Sequence, residues 1–421
     1  MPARHANRMA APVSTASARF AQAALALLLL GLVASISRSP AQAATGCTGV
    51  MVPSTSDLKA VMSSHPAGTT YCLATGTFKV TSTIVTEAGD RVVGAGRGAT
   101  FIDGTRLATT AVGIFDLAEN DYFADLSIFG APTPAAGSGI YCDPEANCGA
   151  AFHFGGNLTL RSIDCYDNAG ACLNGGGSGH VTIDGLNCWG NGSAYSMDPS
   201  FTYAACVKRA AAYEPGNDTI VRNSYIHDNA WVGIWCDFCK YGFFDIENNR
   251  IVHNGSNGVQ WEMSGGWTSD DHALIKDNII RHNNFRENPV GGGVGISTAN
   301  DITVVSNNFG GNRVAGISIV FTVSRNPPQP ESTGVLIKDN AMHGDSILGC
   351  GAIHLVNQLY HFRLQVAFAL LIVAALLLAG FIVRRRRALM FGLGGVLGAV
   401  LVLVLIFVLF HHPVVTCLDN A

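Results

Sequence analysis

The chain has 421 residues, a formal charge of −4 and 13% charged residues, so it carries no basic footprint for nucleic acid. Its 48 Gly against 15 Pro suit a chain that turns often without becoming disordered. The length gives room for one large domain or two ordinary ones.

At the N-terminus Arg4, Arg8 and Arg19 precede an apolar run over 20–33, followed by the small-residue pattern Ala41-Gln42-Ala43. This is the pattern of a secretory signal peptide over 1–43, with an uncleaved anchor as the alternative. All twelve cysteines lie after it, and in an oxidising compartment disulfides are the expected state. Cys236-Asp237-Phe238-Cys239 has the spacing of a redox or metal motif, but there is no second CxxC. Zinc needs four ligands, so a local disulfide or two thiols at a turn is the better reading. Cys142 and Cys148 could staple the segment 132–148.

Residues 44–357 carry an internal repeat: an apolar residue, a second one five positions later, then Asn or Asp three further on. Its copies begin at Phe123, which keeps only the apolar pair, and at Leu160, Ile183, Val221, Ile246, Ile275, Val304 and Ile337. The start-to-start spacings are 37, 23, 38, 25, 29, 29 and 33 residues. A Gly plus β-branched pair follows several copies, as in Gly233-Ile234, Gly258-Val259, Gly295-Ile296 and Gly316-Ile317. Each unit is too short for a βαβ crossover and lacks a helical apolar period. Short strands separated by Asn and Gly turns suit one rung of a coil. Rungs stacked about 4.8 Å apart would bury their apolar residues in one continuous core. Asn223, Asn249, Asn278, Asn307 and Asn340 are expected at one corner, and Asn229, Asn254, Asn283 and Asn312 at another. Asparagine tolerates left-handed backbone and can hydrogen-bond from rung to rung, so these residues read as structural.

Two apolar runs follow, 364–383 and 388–410, each long enough to cross a bilayer as a helix. Arg384, Arg385, Arg386 and Arg387 lie between them. That order predicts a transmembrane hairpin with a cytoplasmic loop at 384–387 and a short extracytoplasmic tail at 411–421. Almost no polar group lies within the spans, which suits an anchor better than a transport path.

The segment at 57–64, then Pro66-Ala67-Gly68-Thr69-Thr70, Ala74-Thr75-Gly76-Thr77-Phe78 and Arg91-Val92-Val93-Gly94-Ala95-Gly96 resembles the opening of right-handed parallel β-helix repeat proteins of the pectate-lyase-like superfamily. The resemblance covers roughly residues 55 to 356. It implies an all-β, right-handed parallel β-helix with an N-terminal capping helix over the open sheet edge. Cys206-Val207-Lys208, Gly233-Ile234-Trp235-Cys236-Asp237 and Gly258-Val259-Gln260-Trp261-Glu262-Met263-Ser264 resemble a block found in secreted bacterial members. Many relatives cut, epimerise or bind polysaccharides. The Asp-Pro-His-Glu run of alginate epimerases and the Gly-His-Gly and Arg-Ile-Lys signatures of polygalacturonases are absent.

Aligning rungs on the Gly plus β-branched pair sets Asp237 beside Glu262, three residues past Ile234 and Val259 respectively. Carboxylates roughly 5 Å apart cannot both ionise cheaply, so one is protonated or a cation lies between them. Such a pair suits a glycosidase, a shared acid and base or a Ca²⁺ site. By the same counting Lys208 aligns with Trp235, where it could neutralise a substrate carboxylate or act as base. Trp235, Trp261 and Trp267 offer flat faces for sugar rings, and Asp270 and Asp271 lie in a loop that could overhang them. The bland reading is a solvated ladder with a salt bridge of little worth.

Two function classes stay open on the sequence. One is an exported, membrane-anchored protein that binds or processes polysaccharide as a lyase, hydrolase or epimerase. The other is a non-catalytic adhesive or structural β-helix at the cell surface.

Overall fold

The computed structural model describes residues 46–348, except 110–112, 134–148, 178, 194–204, 211–215, 240, 266–271, 288–290, 321–331 and 333, together with 414–415. The expected signal peptide, the spans 364–383 and 388–410, their arginine loop, most of the tail, Trp267, Asp270 and Asp271 lie outside the described residues. Among the described residues no helix is long and apolar enough to cross a membrane.

The chain forms a 20-stranded and a 10-stranded sheet, wound as stacked rungs. Among the described residues every pairing is parallel except one, Val414–Val415 against the start of Val335–Lys338. Each full rung supplies a first strand, a second strand and a third strand, as in Val181–Asp184, Asn187–Trp189 and Ala205–Ala210. The eight repeat copies stack in register: Phe123, Leu160, Ile183, Val221, Ile246, Ile275, Val304 and Ile337 form one column. Ile128, Cys165, Cys188, Ile226, Ile251, Ile280, Phe309 and Met342 form the second. All but the half-buried Met342 are buried in one continuous core. One alignment shifts: the partner of Val259 and Ile317 is Val294, not Ile296. A slip of two residues keeps the same face inward, because strand side chains alternate with period two.

The corners explain the polar half of the repeat. After the first strand, Asp125, Ser162, Asn223, Asn248, Asp277, Ser306 and Asp339 take left-handed backbone, with Gly185 in the same column. After the second, Asp167, Asp228, His253 and His282 do the same, with Gly130, Gly190, Gly311 and Gly344 in the same column. Side chains branched at Cβ fit that conformation poorly, so small polar residues and Gly recur there. The residue after each corner points inward. Past the second corner Asn168, Asn191, Asn229, Asn254, Asn283 and Asn312 form a buried ladder that ends on Asp345. In each step one amide nitrogen donates to the next side-chain oxygen at 2.6–3.0 Å. Past the first corner a second ladder joins Asn249, Asn278, Asn307 and Asn340. Ser224, not Asn223, precedes it, accepting nothing from the ladder but donating its backbone N–H to Asn249. Asn223 stands outside, bonding Asp184 and Asn248.

The helix Leu58–Ser63, capped by Asp57, buries Leu58 and Met62 against the first rungs. Disulfides join Cys47 to Cys72, Cys165 to Cys172, Cys188 to Cys206 and Cys236 to Cys239. The CxxC pair is therefore a local disulfide, which excludes the zinc reading; Cys142 and Cys148 lie outside the described residues.

Candidate functional site

The third strands form the 10-stranded sheet, which runs in stacking order Ile84–Val85, Gly113–Leu117, Ala150–Phe154, Leu173–Gly175, Ala205–Ala210, Val232–Asp237, Val259–Glu262, Val294–Ser297, Ile317–Val320 and Ile347–Leu348. Phe115, Phe152, Leu173, Val207, Ile234 and Val259 belong to the core. Period-two alternation therefore turns Asp116, His153, Asn174, Lys208, Trp235 and Gln260 to the outer side. They stack as one column, each the direct neighbour of the next. Two residues on, Ala210, Asp237, Glu262 and Ser297 form a second outward column.

The register thus brings Lys208 beside Trp235 and Asp237 beside Glu262, as expected from the sequence. Lys208 Nζ lies 3.2 Å from Asp237 Oδ2, with the two side chains 0% and 6% exposed. The same ammonium sits 3.6 Å from the centroid of the Trp235 ring. A buried carboxylate is tolerated only when it is paired, and Lys208 supplies that pairing. It also supplies the positive charge that two neighbouring carboxylates require. The second Asp237 oxygen, Oδ1, is buried with no hydrogen-bond partner among the described residues. Glu262 is half-buried, and Gln260 Nε2 donates to its Oε2 at 2.6 Å while Asn257 Nδ2 donates to Gln260 Oε1 at 3.1 Å.

Trp261 does not join them. Its ring is 1% exposed inside the coil, 5.5 Å from the Phe244 ring, and its indole N–H donates to the Asn300 carbonyl at 2.9 Å. One residue's offset from Trp235 puts it on the opposite face, so it cannot stack on a sugar. Trp235 points outward but is buried as well. Ca²⁺ takes six to eight oxygen ligands. Lys208 Nζ stands 3.2 Å from Asp237 Oδ2, and among the described residues no three His, Cys, Asp or Glu side chains converge.

Arg209, next to Lys208, is turned into the coil, where its Nη2 donates to the carbonyls of Gly177 and Gly179, each at 3.0 Å. Burial pulls its pKa down to about 10, against the opposing pull of Asp218. Gly175 sits below it in the same column because a side chain there would run into the Phe154 carbonyl and ring.

Sequence reasoning missed the open end of this face. His153 Nδ1 lies 2.6 Å from Asp116 Oδ1, with side-chain exposures of 25% and 38%. The alternations Phe115-Asp116-Leu117 and Phe152-His153-Phe154 were visible signals. The rung of His153 has no Gly plus β-branched pair, and in the rung of Asp116 the pair Gly113-Ile114 falls one residue out of line with Gly233-Ile234, so neither was placed on the same column.

A family model described as "Right handed beta helix region" matches residues 137–271 and 200–329. This chain is a right-handed parallel β-helix protein. Among solved structures, the β-helix is similar to the A-module of the Azotobacter vinelandii mannuronan C-5 epimerase AlgE6, at 14% identity over 72% of this chain and 96% of that one, with a TM-score of 0.35. It is also similar to the pectate lyase Pel9A, at 15% identity over 70% and 80% of the chains and a TM-score of 0.43. A third is PfbA, a surface adhesin of Streptococcus pneumoniae, at 12% identity over 69% and 74% and a TM-score of 0.47. No curated protein sequence matches the chain.

Proposed function

We propose that the outer side of the 10-stranded sheet binds polysaccharide and processes it by acid–base chemistry. In this reading Glu262 meets the substrate, while Lys208 and Asp237 lie beneath it. The observation that carries the reading is Asp237 Oδ1, an acceptor buried with no hydrogen-bond partner among the described residues, one rung from Glu262. Leaving a buried acceptor unsatisfied costs about 1–3 kcal/mol, and such groups call for a functional explanation. A sugar hydroxyl is a donor of the right kind. Lys208 pairs with Asp237 and Gln260 orients Glu262, so the two carboxylates differ in environment, as an acid and a base must. Trp267, Asp270 and Asp271 complete the proposal as substrate contacts from the adjoining loop.

A non-catalytic adhesive or spacer role is the second reading, favoured by the burial of Lys208 and Trp235. Purified protein tested on glycan arrays and in reducing-end and unsaturated-product assays separates the two. Glu262→Gln should retain binding and lose turnover by at least about a hundredfold, the range of general acid–base catalysis. Turnover unchanged in that variant sinks the catalytic reading, and absence of any glycan binding leaves only the spacer.

The same proposal places this face outside the cell, with 1–43 removed and 364–383 and 388–410 as its membrane anchor. N-terminal sequencing of the mature chain and carbonate extraction of membranes test it; a soluble chain that retains Met1 refutes it.

A further inference from the structure

We propose that Asp116 and His153 form a second polar station of the same glycan face, which takes a hydroxyl of the bound polymer two rungs away from Lys208. The inference rests on the glycan reading of that face, and extends it to residues outside the Lys208–Glu262 cluster.

Four observations carry it. First, the pair stands in line: Asp116, His153, Asn174 and Lys208 occupy successive rungs of one outward column. Second, it is more accessible than the Lys208–Asp237 pair, with His153 25% and Asp116 38% exposed against 0% and 6%. Third, its chemistry is fixed. With Asp116 Oδ1 as the acceptor of the 2.6 Å contact, His153 Nδ1 is its donor. In the neutral ring Nε2 is then left as an acceptor, held in direction by Asp116. Fourth, there is room beside it. Gly155, just past the end of the strand Ala150–Phe154, has no atom within 4 Å of the point where a side chain would begin.

The rung spacing sets the geometry of the ligand. His153 lies four rung steps from the level of Glu262, roughly 19 Å along the coil axis. A short oligosaccharide at Glu262 cannot reach it, and a longer one laid along the axis passes over Asn174 to His153. The ligand class is therefore an extended polysaccharide chain running parallel to the coil axis, with a hydroxyl donor presented at His153.

The test measures affinity of the purified full chain for size-graded oligouronides and cello-oligosaccharides, from dimers upward. In the unsubstituted protein affinity should rise with length until the oligomer spans the four rungs. His153→Ala should weaken binding of the long oligomers about threefold to tenfold, the worth of one hydrogen bond, and leave the short ones unchanged. Asp116→Asn should have a smaller effect of the same kind, and His153→Gln should recover part of the loss. Gly155→Phe, which fills the adjoining space and leaves both side chains of the pair unsubstituted, should abolish the length dependence while the melting temperature holds. If the unsubstituted protein binds none of these probes, the glycan reading of the face fails and this inference with it. If it binds them and His153→Ala leaves the length profile intact, or lowers long and short oligomers equally, the second station alone is overturned.

Discussion

Replacing Asn283 with alanine tests how much of the coil's stability resides in its buried amides. Asn283 is fully buried; its Oδ1 accepts from the backbone N–H of Asn254 at 3.1 Å and from Asn254 Nδ2 at 2.9 Å. Its Nδ2 donates to the Ile251 carbonyl and to Asn312 Oδ1, each at 3.0 Å. Alanine deletes all four bonds. Asn254 Nδ2 keeps the Ile226 and Val252 carbonyls, and Asn312 Oδ1 keeps the Asn283 backbone N–H, so those atoms retain partners. The Asn254 backbone N–H loses its partner in a buried place. One orphaned donor costs about 1–3 kcal/mol, and the remaining bonds add about 0.5–1.5 kcal/mol each before relaxation, so a loss of about 3–5 kcal/mol is expected. That is a large share of the roughly 5–15 kcal/mol that holds a domain folded. Equilibrium urea unfolding measures it, with Asn223→Gly as the control outside the ladder, expected within about 0.5 kcal/mol of the parent. A loss below about 1 kcal/mol for Asn283→Ala would refute the claim that the ladder binds the rungs together.

Three further outcomes follow from single residues. Lys208→Met leaves Asp237 buried without its cation and should cost about 3–5 kcal/mol, whereas Lys208→Met with Asp237→Leu should recover most of it; a double-mutant cycle reads the difference. Arg209→Met removes a buried cation whose hydrogen bonds go to carbonyl oxygens and which has no ion-paired carboxylate among the described residues, so its effect on stability should be under about 2 kcal/mol, while Arg209→Ala should cost more through the void it leaves. Burial pushes Asp121 up to about 7, even though Thr86 donates to it and with Asp90 adding to the rise. Its folded pKa is above the unfolded value of about 3.9, so its contribution is full below that pH and is lost as pH rises through about 7. Asp121→Asn should therefore gain stability relative to the parent between pH 4 and pH 8, by at most about 4 kcal/mol; a pH-independent difference in melting would contradict this.

The fold was legible because its signal repeats. One apolar pair per rung, five residues apart, placed eight copies, and each lies in register in the coil. The columns Asp237–Glu262 and Lys208–Trp235 followed from the same counting. Orientation and cover were harder to read. Trp235 and Trp261 look alike in the sequence, yet period two sends one outward and the other into the core beside Phe244. That Lys208 closes on Asp237, two positions along the neighbouring rung, is a diagonal contact set by side-chain length and burial. The Asp116–His153 pair was hidden for another reason: its rungs keep the alternation of Phe and polar residues, but one has no Gly plus β-branched pair and in the other Gly113-Ile114 lies one residue out of line.

The ladder that begins at Asn168 has a direction as well as a strength. Every amide in it receives from the rung before and gives to the rung after, so the column works like a sentence in which each word needs a successor. Asp345 can receive from Asn312 but, ionised, has no hydrogen to pass on. A carboxylate is thus a full stop: it ends the relay and sets its negative charge where the aligned amide hydrogens all point. Adding another rung of the same kind to this column would first require Asp345→Asn, which makes that one residue a chemical mark of how many rungs the relay counts.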